Sequence, residues 1–142
     1  REEAAAEAML HDDKVLTEAG ADLLVLECVP SSLGKRIAEI SSAPVIGIGA
    51  GPDVHGQILV LQDILNISPM VTTGRKPRFV KNFMQGAADI EAAVRNYVQA
   101  VKSAAYPELE HCFGDASAAL PQQQDSKSVP VLPLTGVPLP RK

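Results

Sequence analysis

The sequence predicts an α/β fold, and three observations carry this prediction. Short apolar runs rich in Leu, Val and Ile recur at residues 21–27, 45–48 and 57–61. Segments whose apolar residues have helical spacing lie before and after these runs. The first run does not alternate with polar residues, which is typical of a strand buried on both faces in a parallel sheet covered by helices. This order of elements does not choose between an open sheet and a barrel.

An N-terminal helix is predicted to lead into the first strand. Residues 2–19 are rich in Ala, Glu and Leu, and Gly20 follows where a left-handed helix cap is favoured. The apolar residues with roughly helical spacing are Ala4, Ala8, Val15, Leu16 and Ala19. Strand 21–27 then delivers one carboxylate, Glu27, at its C-terminal end. An ionisable group in a buried strand is costly unless it has a partner or a chemical role.

A strand, helix, strand unit follows. Ser31 or Ser32 can cap the helix, and its apolar face consists of Leu33, Ile37 and Ile40. The short run 45–48 after it is rich in β-branched residues, which favours a second strand. Because the crossover is so short, we expect this strand and strand 21–27 to be parallel neighbours with a right-handed connection.

The second half of the chain contains one more strand and two more helices by the same criteria. Residues 57–61 predict the third strand, and residues 66–76 predict an exposed loop. Pro77 suits the first position of a helix, whose apolar face consists of Phe79, Val80 and Phe83. Asp89 can cap a longer helix, whose apolar face consists of Ile90, Val94, Val98 and Val101. Residues 114–142, rich in Pro, Gln, Ser and Ala, are predicted to form a disordered tail.

Composition excludes several classes of function. The chain has 142 residues and a net charge of −4 with the two signs interspersed, so no broad basic surface for nucleic acid is expected. No apolar run reaches the roughly 18 residues of a membrane span. Cys28 and Cys112 are too few for a disulfide framework and lack metal-type spacing, which favours reduced thiols in a cytoplasmic protein. No initiator Met is present, so we expect the chain to begin within a longer protein.

Five motifs carry a resemblance to a known family. They are LLVLECVP at 23–30, PVIGIGAG at 44–51, GQILV at 56–60, PRFVKNF at 77–83 and YPELEHCF at 106–113. In this order and at these spacings they resemble ketopantoate hydroxymethyltransferase, an enzyme of pantothenate synthesis. The resemblance covers about residues 2–113, and the tail has no counterpart. It divides the chain into residues 1–113, the C-terminal portion of a catalytic domain, and the tail 114–142.

The resemblance implies a fold and an activity. The family forms a (β/α)₈ TIM barrel, typically a homodecamer, and strands 21–27, 45–48 and 57–61 would be the last three of eight. It transfers a hydroxymethyl group from 5,10-methylenetetrahydrofolate to 3-methyl-2-oxobutanoate, giving 2-dehydropantoate, with Mg²⁺ chelating the keto acid. A glutamate accepts the proton next to the carbonyl, and the matching residue is Glu27. Such a base needs a water-poor site at the C-terminal end of a barrel strand.

The chain departs from the family in one large respect. The family's metal-binding carboxylates and its substrate-holding Ser, Lys and His lie on earlier strands, so no metal ligand is expected in this chain, and no folate-binding residue can be assigned. Three parallel strands cannot close a barrel and leave one edge and the interior face uncovered. The isolated chain is therefore predicted to be inactive.

Other conspicuous residues are given structural interpretations. The glycines of 47–51 lack the Gly at position 52 that a dinucleotide fingerprint needs, because Pro52 stands there. His55 is interpreted as an exposed loop residue, and His111 as a packing or subunit-contact residue. Cys28 is interpreted as a buried thiol and not as a nucleophile. The basic run 75–78 could attract a folate polyglutamate tail or a phosphate, but a solvated loop is the simpler interpretation.

Two other functions stay open at this point. One is a related magnesium-dependent barrel enzyme that forms an enolate of another keto acid. The other is a truncated barrel portion without catalytic activity that serves only in assembly or interaction.

Overall fold

The computed structural model describes residues 2–69 and 74–114. The helices and strands wholly within these ranges are α1 (Glu2–Glu18), β1 (Leu24–Glu27), α2 (Ser31–Ile40), β2 (Val45–Ile48), β3 (Gly56–Gln57), α3 (Leu61–Ile64), α4 (Ile90–Lys102) and a 3-10 helix (Leu109–His111). The predicted α/β class is confirmed. The predicted tail lies outside the described residues apart from Gly114. No described helix combines the length and apolar character needed to cross a membrane.

The three strands form one parallel sheet in the order β1, β2, β3. Leu24 lies opposite Val45, and Glu27 lies opposite Ile48. The backbone N–H of Cys28 extends this pairing, because it donates to the carbonyl of Ile48 at 2.9 Å. The prediction that the first two strands are parallel neighbours is therefore confirmed.

The third strand is shorter than predicted. The sequence favoured a strand over 57–61, but β3 covers only Gly56–Gln57 and α3 begins at Leu61. The N–H of Ile58 still donates to the carbonyl of Gly47 at 2.9 Å. Beyond that point β2 supplies no partner, because Gly49 turns the chain with a φ of 66°. The apolar run of the sequence therefore continues beyond the last residue that pairs with β2.

β1 is not buried on both faces, contrary to the prediction. Leu26 packs against the apolar residues of α1 and α2. Val25, next along the strand, points to the opposite face and is 56% exposed. The apolar residues of β1 thus alternate in exposure, because the described helices cover only one of its faces.

α1 and α2 pack on that covered face to form the first of two apolar clusters. Its buried members are Val29, Leu33, Ile37, Val45 and Ala50, and Ala6, Met9 and Leu10 of α1 pack against them. Val15 and Leu16 are about half exposed, so α1 buries a different face from the one suggested by its apolar spacing. At the helix surface Arg36 donates to the carboxylate of Glu7 at 2.9 Å.

The ends of the helices follow the predicted chemistry in two of three cases. Gly20 has a φ of 97° after α1, and the N–H of Ala21 donates back to Leu16 O at 3.0 Å, which completes a Schellman-type cap. The Asp89 carboxylate caps α4 by accepting from Ala92 N–H at 2.7 Å. No serine caps α2, because Pro30 occupies its N-cap position and Ser31 is its first residue.

A second apolar cluster holds α3 and α4 together. Its buried members are Leu59, Ile64, Phe79, Val80, Phe83, Ala93 and Tyr106. The helix predicted from Pro77 is wrong, because residues 77–84 contain no helix and have only a turn at 78–79 and a bend at 83–84. The N–H of Phe83 donates to Ile64 O in α3, at 3.1 Å, and not to its own segment. The apolar residues expected on that helix are nevertheless buried.

The face of α4 that packs on this second cluster also differs from the predicted one. Ala93 is fully buried there, and Tyr97, Ala100 and Val101 pack beside it. Ile90 is 59% exposed and Val98 is 41% exposed. Both were predicted to lie on the inward face. The buried face of α4 is therefore rotated about the helix axis relative to the face predicted from the spacing of its Ile and Val residues.

A C-terminal strap, residues 106–113, crosses the end of the sheet. Tyr106 donates its hydroxyl hydrogen to Phe79 O in the second cluster. Glu108 accepts from Lys81 Nζ at 2.7 Å, and the pKa of Glu108 is lowered by this bond and by the charge of Lys81. The strap is thus joined by polar contacts to the segment after Pro77.

His111 is the buried centre of the strap. Its Nδ1 accepts from the N–H of Glu108 at 3.1 Å, and its ring packs edge to face on Tyr106 with centroids 5.2 Å apart. The hydrogen bond requires an unprotonated Nδ1, so the neutral ring carries its proton on Nε2. Burial lowers the pKa of His111, with Lys81 and Lys76 acting in the same direction and Glu110 and Glu108 opposing them. The predicted packing role is confirmed.

Replacing Gly34 by Ala tests the contact between α2 and the loop after β2. Alanine would normally stabilise a helix interior by about 1 kcal/mol relative to glycine. A Cβ at Gly34 would instead lie 2.3 Å from the carbonyl oxygen of Ala50, so we expect a net loss of about 1–3 kcal/mol. Urea denaturation followed by circular dichroism measures the change. Lys35→Ala, exposed on the same helix, is the matched control, and a Gly34→Ala variant as stable as the parent would contradict the contact.

Lowering the pH tests the neutral state of His111. Because its pKa is lower in the folded chain than the ordinary value of about 6.5, its contribution to stability is complete above that pH. That contribution is lost as the pH falls further, through the folded pKa. We expect the urea midpoint to fall between about pH 7 and about pH 5.5, and part of this fall to disappear in His111→Gln. His11→Gln, at an exposed position of α1, is the matched control. A His111→Gln profile identical to the parent would refute this interpretation.

Candidate active site

The structure places Glu27 at the C-terminal end of β1, as predicted. It is the last residue of that strand, and it lies opposite Ile48, the last residue of β2. Because parallel strands share their carboxyl ends at one edge, the loops that follow β1 and β2 meet beside Glu27. This is the edge at which α/β proteins commonly bind ligands.

The described surroundings of Glu27 do not by themselves form the water-poor site that was expected. Its side chain is exposed, and it lies on the same face of β1 as the exposed Val25. That face is turned away from α1 and α2, which pack against Leu26. No helix in the described part of the chain covers this face of β1, so the dry site stays a prediction.

Cys28 follows Glu27 at a tight turn. It has a φ of 53°, in the left-handed region, and its thiol is exposed. The prediction of a buried thiol is wrong, because this backbone turn ends the strand before the alternation of faces reaches residue 28. Partial desolvation, and then the charge of Glu27, raise the pKa of the Cys28 thiol. The thiol is consequently held protonated near neutral pH, which disfavours a nucleophilic role.

The glycine loop after β2 serves close packing. Gly49 and Gly51 have φ values of 66° and 84°. A Cβ at Gly49 would lie 2.7 Å from the ring of Phe79, and one at Gly51 would lie 2.6 Å from the side chain of Ser31. Both positions thus need glycine for conformation and for space. This agrees with a tight turn at the edge of the sheet and not with a nucleotide fingerprint.

His55 is an exposed loop residue, as predicted. Its Nδ1 accepts from the N–H of Val45 at 3.0 Å, and its own N–H donates to Val45 O at 2.9 Å. These bonds join the loop before β3 to the start of β2. That is the end of the sheet opposite Glu27, so His55 has a structural position.

The basic run 75–78 is solvated along most of its length. Arg75, Lys76 and Arg78 are exposed, which agrees with the simpler of its two interpretations. Arg78 also donates to the carbonyl of Cys112 in the C-terminal strap at 3.2 Å. It lines a cavity together with Cys28, Pro30 and Phe113, so one residue of the run lies near the end of β1.

Within residues 2–69 and 74–114, one cluster has side-chain ligand atoms close enough together to coordinate a metal ion. It consists of Glu108, Glu110 and His111. The Nε2 atom of His111 carries the proton, because Nδ1 accepts a hydrogen bond, and Glu108 is already paired with Lys81. Mg²⁺ prefers oxygen ligands in octahedral geometry, and this donor set does not supply them. Glu27 is a single carboxylate, so the described residues do not fit a Mg²⁺ site.

Sequence reasoning missed the contact between α2 and the C-terminal strap. The backbone N–H and the hydroxyl of Ser31 both donate to the carbonyl oxygen of Phe113, at 2.8 Å and 3.1 Å. The partners are 82 positions apart, and a backbone carbonyl has no sequence signature. The only available signal was a serine directly after proline at a helix start, which was interpreted as a cap.

Comparison with known proteins connects this site to a family. The family model for ketopantoate hydroxymethyltransferase matches residues 1–109. The 3-methyl-2-oxobutanoate hydroxymethyltransferase of Alkalilimnicola ehrlichii is 61% identical over 114 residues, which are 80% of this chain and 40% of that protein. The Neisseria gonorrhoeae protein of the same name is 50% identical over 110 residues, 78% of this chain and 40% of that protein.

A third relative has the same enzyme name and is matched over a similar share of its length. The Hahella chejuensis protein named 3-methyl-2-oxobutanoate hydroxymethyltransferase 2 is 51% identical over 113 residues, 80% of this chain and 41% of that protein. The chain thus spans about two fifths of the length of the curated relatives it matches. The assignment to the last three strands of a barrel stays a prediction. From the match over residues 1–109, the chain belongs to the ketopantoate hydroxymethyltransferase family.

Proposed function

We propose that this chain contributes the proton acceptor, Glu27, to a hydroxymethyltransferase that acts on 3-methyl-2-oxobutanoate. The observation that carries the proposal is the position of Glu27 at the carboxyl end of β1, on the face of that strand turned away from α1 and α2. The names of the relatives support the reaction. The parallel sheet and its helices would be one portion of a (β/α)₈ barrel, with the uncovered face of β1 turned to the interior.

Glu27 would act on the carbon next to the carbonyl of the keto acid. Its carboxylate would take a proton from that carbon to give the enolate. Water would break the two carbon–nitrogen bonds that hold the one-carbon unit to the folate, which gives formaldehyde and tetrahydrofolate. The enolate would then attack the formaldehyde carbon, and the formaldehyde oxygen would take up a proton to become the new hydroxyl group. Such a base works best when its pKa is close to the working pH. In the described chain Glu27 is exposed. We therefore propose that the rest of the barrel covers its face and excludes water from the carboxylate.

The involvement of Mg²⁺ and 5,10-methylenetetrahydrofolate is proposed only because the chain belongs to this family. The described carboxylates and histidine do not form a fitting magnesium site, so we assign the metal to residues outside this segment, and we assign no residue to the folate. For the same reason we expect the chain alone to lack transferase activity. A homodecameric assembly and a cytoplasmic location belong to this proposal as well.

A chimeric enzyme tests the proposal. The stretch of this chain that aligns with the Alkalilimnicola ehrlichii relative, 114 residues at 61% identity, would replace its counterpart in that protein. We expect the chimera to transfer the hydroxymethyl group and to exchange the proton next to the carbonyl with solvent. A folded chimera that did neither would contradict the proposed function.

Glu27→Gln in the chimera tests the residue itself. The amide keeps the shape of the side chain but cannot accept the proton, so we expect proton exchange to fall by about 10²–10⁴-fold. Binding of the keto acid should change little. Exchange is followed by NMR in deuterated water, and Glu39→Gln, exposed on α2, is the matched control. Exchange that persisted at the parent rate in Glu27→Gln would show that another group is the base.

A further inference from the structure

The turn between Glu27 and Ser31 is anchored at both ends. At its start the N–H of Cys28 donates to Ile48 O at 2.9 Å, which fixes the end of β1 against β2. At its far end Ser31 donates twice to Phe113 O, from its N–H and from its hydroxyl. Three residues separate Glu27 from Ser31, so a shift of the first turn of α2 is passed to the end of β1.

The carbonyl of Phe113 performs the task of a helix cap. The first N–H groups of a helix have no partner within the helix, and α2 lacks a side-chain cap from its own N-cap residue, Pro30. The Phe113 oxygen accepts the N–H of the first residue, Ser31, where it also meets the positive end of the helix dipole. The cap of α2 is therefore supplied by the C-terminal strap.

Further contacts place Phe113 beside the start of α2. The ring of Phe113 lies against Phe79, with centroids 6.2 Å apart. It also lies above Gly49, where a Cβ would come within 3.0 Å of the ring. The carbonyl of the preceding residue accepts from Arg78. These contacts fix Phe113 across the carboxyl ends of the strands.

We propose that Ser31 is a positioning residue for Glu27. Its two hydrogen bonds to Phe113 clasp the start of α2 to the C-terminal strap and thereby hold the β1–α2 turn, with its carboxylate, at the edge of the sheet. This inference rests on the proposed function for the role of Glu27. The clasp itself is a feature of the fold that can be tested without any activity.

Two substitutions weaken the clasp by different amounts. Ser31→Ala removes the hydroxyl donor and keeps the N–H. Ser31→Pro removes both donors, and proline suits the first position of a helix. The ψ of 138° at Pro30 is also compatible with a following proline. Ser42→Ala, exposed beyond the other end of α2, is the control.

Labelling of Cys112 reports on the clasp in the chain as it exists. Cys112 lies in the strap, is buried, and donates its thiol hydrogen to Glu108 O at 3.2 Å, whereas Cys28 is exposed. We expect Ser31→Pro to speed the labelling of Cys112 by a thiol reagent about 10-fold or more, and Ser31→Ala about 3-fold to 5-fold. The reference for reagent access is the Cys112 rate in Ser42→Ala, because Cys28 lies in the clasped turn itself. A Cys112 rate in Ser31→Pro equal to that of Ser42→Ala would overturn the clasp.

The positioning role is tested in the chimera by the pH profile of proton exchange. If a substitution only lowers the folded fraction, the exchange rate falls by the same factor at every pH. If it displaces the base, the low-pH part of the profile, where the base becomes protonated, moves along the pH axis. We expect Ser31→Pro to move this low-pH part and to lower the exchange rate about 10-fold, with Ser31→Ala between it and the parent. An unmoved profile in Ser31→Pro, together with faster Cys112 labelling, would overturn the positioning role. If Glu27→Gln exchanges normally, the proposed function fails while the labelling result still decides the clasp.

Discussion

The parallel pairing of β1 with β2 is the constraint on which the rest of the molecule depends. Because both strands run in the same direction, both end at one edge, and α2 must return across one face of the sheet to connect them. The position of Glu27 beside the glycine loop and the need for glycine at residues 49 and 51 follow from that arrangement. So does the position of Ser31, which starts the return helix at the same edge.

The sequence predicted well those features that local chemistry decides. The order of the elements from α1 to β3, the left-handed glycine after α1 and the aspartate cap of α4 each depend on a few adjacent residues, and all were confirmed. The position of Glu27 at the carboxyl end of its strand was also confirmed, because a strand followed by a proline turn marks that end in the sequence.

The failures have a common physical origin in contacts between distant segments. Phe79 and Phe83 have helical spacing, but the backbone of Phe83 bonds to Ile64. Burial therefore follows the second cluster and not a helix face. The extent of β3 depended on where β2 stops, and the exposure of Val25 depended on what covers the far face of β1. The bond from Ser31 to Phe113 joins segments 82 positions apart. None of these properties is encoded in a local window.

The uncovered side of β1 has a practical consequence for handling the polypeptide. In the described sheet β1 is an outer strand, and Leu23 and Val25 are both more than half exposed. An open strand edge next to apolar side chains is a template on which further chains can add. Self-association of the purified chain through this edge would thus be a property of the folded sheet and not of a misfolded core. Dilute solutions would be the appropriate conditions for its biochemistry.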